Sequence, residues 1–230
     1  MPLSRDSLST DSFKQAMLDE APGEMGLMDP DAFEASRQKI LSEAQKAGEL
    51  WVFAYGSLIW NPIIEIAEMR PAHLAGYGRR FCVWAPIGRG TPDCQGLWLG
   101  LDKLNAEQKE TATCYGQALR IEAEKWDDES LILWRREMIS GVYIPEWLTV
   151  DIAGEPTKCC VFVANPEHER YAAEVAWDDQ VKAIAHAAGS LGTCREYLYA
   201  LSENLGDAKM SDAYIERLVE DVRAERERAD

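Results

Sequence analysis

The run LWVFAYGSLIWNP, residues 50–62, decides how this chain is read. Its first six residues are continuously apolar and rich in aromatic and β-branched side chains, which predicts a buried strand. Directly behind it stand Tyr55, Gly56, Ser57 and Leu58. Gly56 lacks a β-carbon, so the chain can turn sharply there and present successive N–H groups, with the Ser57 hydroxyl, to one anionic oxygen. Such a loop can hold a carboxylate or a developing oxyanion. Read alone, a Tyr-Gly-Ser turn is more often only a turn. The string also lacks the second glycine of a G-x-S-x-G elbow, which disfavours Ser57 as a serine-hydrolase nucleophile.

Working outward, further strands are predicted near IIEIAEM (63–69), RRFCVW (79–84), GLWLGL (96–101) and ATCYGQALRI (112–121). Two more, EWLTVDI (146–152) and TKCCVFVAN (157–165), flank the turn-like AGEP. Helical spacing marks 126–140, with Gly141 as a stop, then 178–188 and 193–205, stopped by Gly189 and Gly206. Thr193 and Glu196 have the spacing of a capping box. A helix over 29–48 follows from Asp29 as cap, Pro30 in the first turn, an apolar stripe of Phe33, Ile40 and Leu41, and Gly48 as stop. Residues 1–28 show no sustained period and are expected to form a mobile arm. Residues 49–206 then make one α+β domain, a mixed sheet strongly curved or closed with helices around it. Residues 207–230 make a charged helix packed on it or extending from it, fraying after Val222.

Composition narrows the function. The formal charge of −16 repels phosphate backbones and anionic lipid, which argues against nucleic-acid or membrane partners. No apolar run approaches the roughly 20 residues of a membrane span, and the N-terminus lacks a secretory pattern, so a cytosolic location is expected. The six cysteines contain no CxxC pair, and adjacent Cys159 and Cys160 in a strand point to opposite faces, so neither a disulfide framework nor a zinc site is expected. No cofactor is predicted. Between Met69 and Pro92 stand Arg70, Arg79, Arg80 and Arg89 without one acidic residue, although the chain holds 40 of them. Guanidinium suits carboxylates, so an anionic small ligand can dock there, or these arginines merely pair with the abundant acids.

A second candidate is LWRREMISGVY, residues 133–143, where Glu137 sits near the end of the predicted helix. Trp134 and Met138 can desolvate that carboxyl and raise its pKa, whereas Arg135 or Arg136 can lower it. Composition does not distinguish this Glu from the other acids.

Taken in order, WVFAYGSLIWNP (51–62), GYGRRFCVW (76–84), RGTP (89–92), LWRREMISGVY (133–143) and IAHAAGSLGTCREYLYAL (184–201) resemble the ChaC family. The resemblance spans roughly residues 50–205. It implies the γ-glutamylcyclotransferase fold, a small β-barrel with surrounding helices, and cleavage of glutathione to 5-oxoproline and cysteinylglycine without a cofactor. It further implies that Tyr55, Gly56, Ser57 and Leu58 hold the γ-glutamyl moiety, that Glu137 is the acid/base, and that Tyr143 lies beside the site. For such a substrate the acid-free stretch offers Arg89, or else Arg79 or Arg80, to the far carboxylate. The chain departs from the family pattern at Val142, where some members have a second glycine, and at Cys194, where many have asparagine. Other readings are a cyclotransferase for different γ-glutamyl compounds, a non-catalytic small-anion or protein-binding module, and a cysteine-dependent hydrolase. Oligomeric state is not legible.

Overall fold

The computed structural model describes residues 3–10, 12–20, 23, 26–104, 112–172 and 175–229. Strand β1 (Leu50–Ala54) is buried along its whole length. It pairs antiparallel with β5 (Thr113–Ile121), Val52 opposite Leu119, and parallel with β7 (Glu155–Ala164), Val52 opposite Cys160. With β2 (Glu68–Ala75) and β6 (Tyr143–Ile152) these strands close into a barrel in the order β1-β5-β2-β6-β7. A separate hairpin, β3 (Tyr77–Ala85) and β4 (Gly96–Lys103), completes the main strands.

Because side chains alternate across a strand, the two faces of β1 feed two different cores. Trp51, Phe53 and Tyr55 join the first core with Leu74, Val150 and Val161, while Leu50, Val52 and Ala54 join the second. The same alternation separates Cys159 from Cys160, as expected.

Helix α1 (Arg5–Ser9) and helix α2 (Ser12–Glu20) occupy the stretch for which the sequence offered no period, and they bury Leu8, Phe13 and Met17. Helix α3 (Pro30–Ala47) begins where predicted: the Asp29 carboxylate accepts from the N–H groups of Asp31 and Ala32, and Gly48 ends it with φ +77°. It packs on α4 (Trp126–Glu137), where Arg37 bonds Asp127 and Ser130 and the Trp134 indole donates to Ser36. Helices α5 (Trp177–His186), α6 (Cys194–Asp207) and α7 (Ala213–Ala229) cover the other side. The predicted capping box at Thr193 and Glu196 is present. Helix α7 is fastened by Tyr214, whose hydroxyl accepts from the Phe81 N–H and donates to Gln180.

Some boundaries differ from the sequence reading. The strand expected near residues 63–69 starts only at Glu68, because the preceding backbone serves other partners. Ile63, at φ +64°, offers its carbonyl to Arg5, and the Glu65 N–H donates to the buried Glu129. Helix α5 stops at His186, and Gly189 lies instead in a two-residue strand paired with Gly192. Helix α6 runs through Gly206, and α7 remains helical to Ala229.

Candidate active site

The barrel end of β1 and the C-terminal end of α4 open on one cavity of about 590 Å³. Ser57, Arg89, Glu137 and Tyr143 line it. A smaller inner space of about 40 Å³ is lined by Tyr55, Gly56, Ser57, Leu58, Glu137 and Tyr143. The two strings singled out from sequence therefore face each other, with Ser57, Glu137 and Tyr143 common to both spaces.

Glu137 is the last residue of α4, and its side chain is 16% exposed. Burial pushes its carboxyl above the ordinary range, while the adjacent Arg136 guanidinium, 2.9 Å from Oε1, works against that rise. Both effects anticipated from sequence act together, and burial prevails. Arg136 also donates from Nη2 to the Ser57 hydroxyl at 2.7 Å and from Nη1 to the Asn61 carbonyl, so one cation joins the carboxylate to the glycine loop.

The loop enters a short 3₁₀ turn, Ser57–Ile59, in which Ile59 is the first residue bonded internally, to the Gly56 carbonyl at 2.9 Å. The N–H groups of Ser57 and Leu58 are thereby left outside the turn's own ladder. Gly56 has a negative φ of −130°, so a left-handed backbone is not what calls for glycine here. Space is: a β-carbon would lie 3.1 Å from both Leu99 Cδ2 and the Tyr197 hydroxyl. The tyrosine side chains brace the site. The Tyr55 hydroxyl donates to the Phe162 carbonyl and the Tyr143 hydroxyl to the Leu99 carbonyl, at 2.8 and 2.7 Å. Leu58 packs into the second core.

Of the four arginines between Met69 and Pro92, three are committed elsewhere. Arg70 pairs with Glu68, Arg80 with Asp102, and Arg79 with Asp212. Arg79 also holds the loop from behind, donating from Nε to the Tyr55 carbonyl at 2.7 Å. Arg89 lines the cavity. It donates to the Thr193 carbonyl at 3.0 Å and lies over the Tyr197 ring at 5.6 Å, and among the described residues no carboxylate pairs with it. Burial lowers its pKa, the mark of a partly desolvated cation without a full counter-charge.

Sequence reasoning missed Tyr197. It stands one turn into α6, with its ring against Trp60 and edge-on to Phe81, and burial pushes its phenol up to about 12. The capping box at Thr193 fixes where α6 starts and so aims Tyr197, but nothing local separates it from Tyr199. At the two positions that depart from the family pattern, Val142 is buried and the Cys194 thiol donates to the Leu97 carbonyl. Burial pushes Cys82 and Cys159 up to about 12 and Cys114 and Cys194 up to about 11, far from a thiolate nucleophile.

A family model described as ChaC-like protein matches residues 50–225. The glutathione-specific gamma-glutamylcyclotransferase of Escherichia coli (strain K12) is 36% identical over 177 residues, covering 76% of this chain and 74% of that relative. Gamma-glutamylcyclotransferase 2-3 of Arabidopsis thaliana is 30% identical over 182 residues, 76% of this chain and 88% of the relative. A crystal structure of a glutathione-specific gamma-glutamylcyclotransferase from yeast superposes with a TM-score of 0.68 at 22% identity, over 76% of this chain and 96% of that one. The likeness extends to the barrel fold.

Proposed function

The chain belongs to the ChaC-like protein family, and from that membership we propose that it is a γ-glutamylcyclotransferase that splits glutathione into 5-oxoproline and cysteinylglycine. The observation that carries the reading is a buried carboxyl, Glu137, sharing one small chamber with the Tyr55–Leu58 loop.

In glutathione the α-amine can reach the γ-carbonyl of its own γ-glutamyl group. The new C–N bond closes a five-membered lactam, the old amide C–N bond breaks, and the cysteine nitrogen leaves as an amine. Water takes no part. Nucleophile and electrophile are already tethered, so the protein has to fold the head group into the reactive geometry, stabilise the oxyanion and pass protons from the attacking to the leaving nitrogen. Glu137 takes a proton from the α-ammonium so that the free amine can attack, and delivers it to the leaving nitrogen; the second proton released when the lactam forms goes to the expelled amine, which departs as an ammonium. An unperturbed carboxylate near pKa ~4.3 is a weak base for this task, and the burial of Glu137 moves it in the useful direction.

The N–H groups of Ser57 and Leu58, with the Ser57 hydroxyl, receive the α-carboxylate or the oxyanion. Arg136 tethers that hydroxyl and tempers the charge on Glu137. Arg89, without a carboxylate of its own, receives the glycine carboxylate at the far end. Incubating the purified protein with glutathione and measuring both products by mass spectrometry, with Glu137→Gln alongside, tests the proposal. Equal release of 5-oxoproline and cysteinylglycine is expected from the wild type, and absence of both from the wild type would refute it.

A further inference from the structure

Residues 3–20 lie outside the stretch matched by the family, yet they help to build the cavity: Leu3, Phe13 and Met17 line it. Phe13 and Met17 are only 7% and 4% exposed. Their position is fixed at both ends. At the first, Arg5 makes a two-pronged ion pair with the buried Glu129, at 2.6 and 2.8 Å, and Arg135 donates to the carbonyls of Leu8 and Ser9 that end α1. At the second, the carboxylate of Glu20 gathers three donors from two separate loops. These are the Gly88 N–H at 3.1 Å, the Ser190 N–H at 3.2 Å and the Ser190 hydroxyl at 2.5 Å. A β-carbon on Gly88 would lie 3.5 Å from Met17 Cε, which places this latch against the apolar wall.

The same turn of α4 therefore directs consecutive side chains to three tasks: Arg135 to α1, Arg136 to the glycine loop, and Glu137 into the cavity. Glu137 lines both spaces, and the one it shares with the glycine loop is about 40 Å³, so the room for a leaving group attached to the reacting carbonyl is in the larger space. Phe13 and Met17 form part of the wall there.

We propose that α1 and α2 form a latched strap that selects the leaving group, with Phe13 and Met17 packing on the dipeptide and Glu20 as the positioning residue that holds them in place. The inference rests on the cyclotransferase reading for the identity of the substrate. It assigns the strap to the partly apolar, thiol-bearing portion of the leaving dipeptide, whose carboxylate goes to Arg89, and leaves the bond-breaking step to Glu137.

The test compares wild type, the double variant Phe13→Ala/Met17→Ala, Glu20→Ala and Glu20→Gln. Steady-state kinetics with glutathione are run beside a titration of tryptophan fluorescence, which reports on Trp60 and Trp98 in the cavity wall. The double variant and Glu20→Ala are expected to raise KM by about three- to thirtyfold while kcat stays within about twofold, because binding to the leaving group is lost and the proton transfer is not. Glu20→Gln keeps a carbonyl acceptor and is expected to recover part of the affinity. A fall in kcat at constant KM, or no change in either, overturns the inference. If wild type forms no 5-oxoproline, the cyclotransferase reading fails, and the fluorescence titration decides the strap: weaker glutathione binding in the variants supports it, while equal or absent binding overturns it.

Discussion

The guanidinium of Arg136 donates to the hydroxyl of Ser57 across 2.7 Å, tying the end of α4 to the loop that follows β1. The next residue is Glu137, paired with the same guanidinium at 2.9 Å. In the proposed mechanism, the carboxyl that holds and releases a proton is thus fixed to the loop proposed to receive negative charge from the substrate. Both elements rest on packed structure, α4 through Trp134 against Phe162 at 5.2 Å and β1 through its two buried faces.

Glu137→Gln keeps the shape of the side chain and removes its titrating group. Turnover of glutathione should fall by about 10²- to 10⁴-fold, the usual worth of a positioned acid–base group, while KM and the thermal midpoint change little. A folded variant that still turns over glutathione near the wild-type rate removes Glu137 from the mechanism.

The pH dependence follows from the direction of the Glu137 shift. The carboxyl must be ionised to accept the ammonium proton, and burial raises its pKa, so activity should be lost on acidification at a pH above the ordinary carboxylate value of ~4.3. Arg136 lowers that pKa, by charge and by hydrogen bonding. Arg136→Gln removes both effects and should move the acid limb of the kcat profile to still higher pH. A limb that stays in place, or moves down, contradicts the assignment.

Arg89→Ala should raise KM for glutathione about tenfold or more and lower kcat less, since a hydrogen bond between charged partners is worth about 1.5–3 kcal/mol. With the glycine carboxylate of the substrate blocked as an amide, wild type and variant should differ much less. An equal effect on both substrates would assign Arg89 to supporting Tyr197 and the Thr193 carbonyl instead.

Gly56→Ala would place a methyl group 3.1 Å from the Leu99 tip and from the Tyr197 hydroxyl. The leucine can rotate away, but the tyrosine ring is confined by Trp60 and Phe81. Overpacking of this kind costs about 1–3 kcal/mol, and the same displacement disturbs the inner chamber. Denaturant unfolding should show the stability loss and kinetics a fall in kcat/KM, with Tyr197→Phe in the Gly56→Ala background restoring part of the stability.

The sequence marked the strands, most helix caps, the glycine loop and the carboxylate, because those signals are local. Period-two burial, a cap three residues from its partner and a turn after an apolar run are all written within a few neighbouring positions. The resemblance supplied the choice of Glu137 among 40 acidic residues, which composition could not. The strand boundary near residues 63–69 escaped because distant side chains, Glu129 and Arg5, take up its backbone groups.

What only the tertiary structure decided lies in pairs far apart along the chain. Arg136 and Ser57 are separated by 79 positions, Arg79 and Asp212 by 133, and Glu20 and Ser190 by 170. Whether an arginine serves a ligand or an internal acid depends on which carboxylate the fold brings beside it, and that is why Arg79 and Arg80 became structural while Arg89 was left facing the cavity. A pKa direction likewise belongs to an environment: Trp134, Arg136 and Glu137 are neighbours in sequence, but the burial that raises the carboxyl is created by closing the barrel against α4.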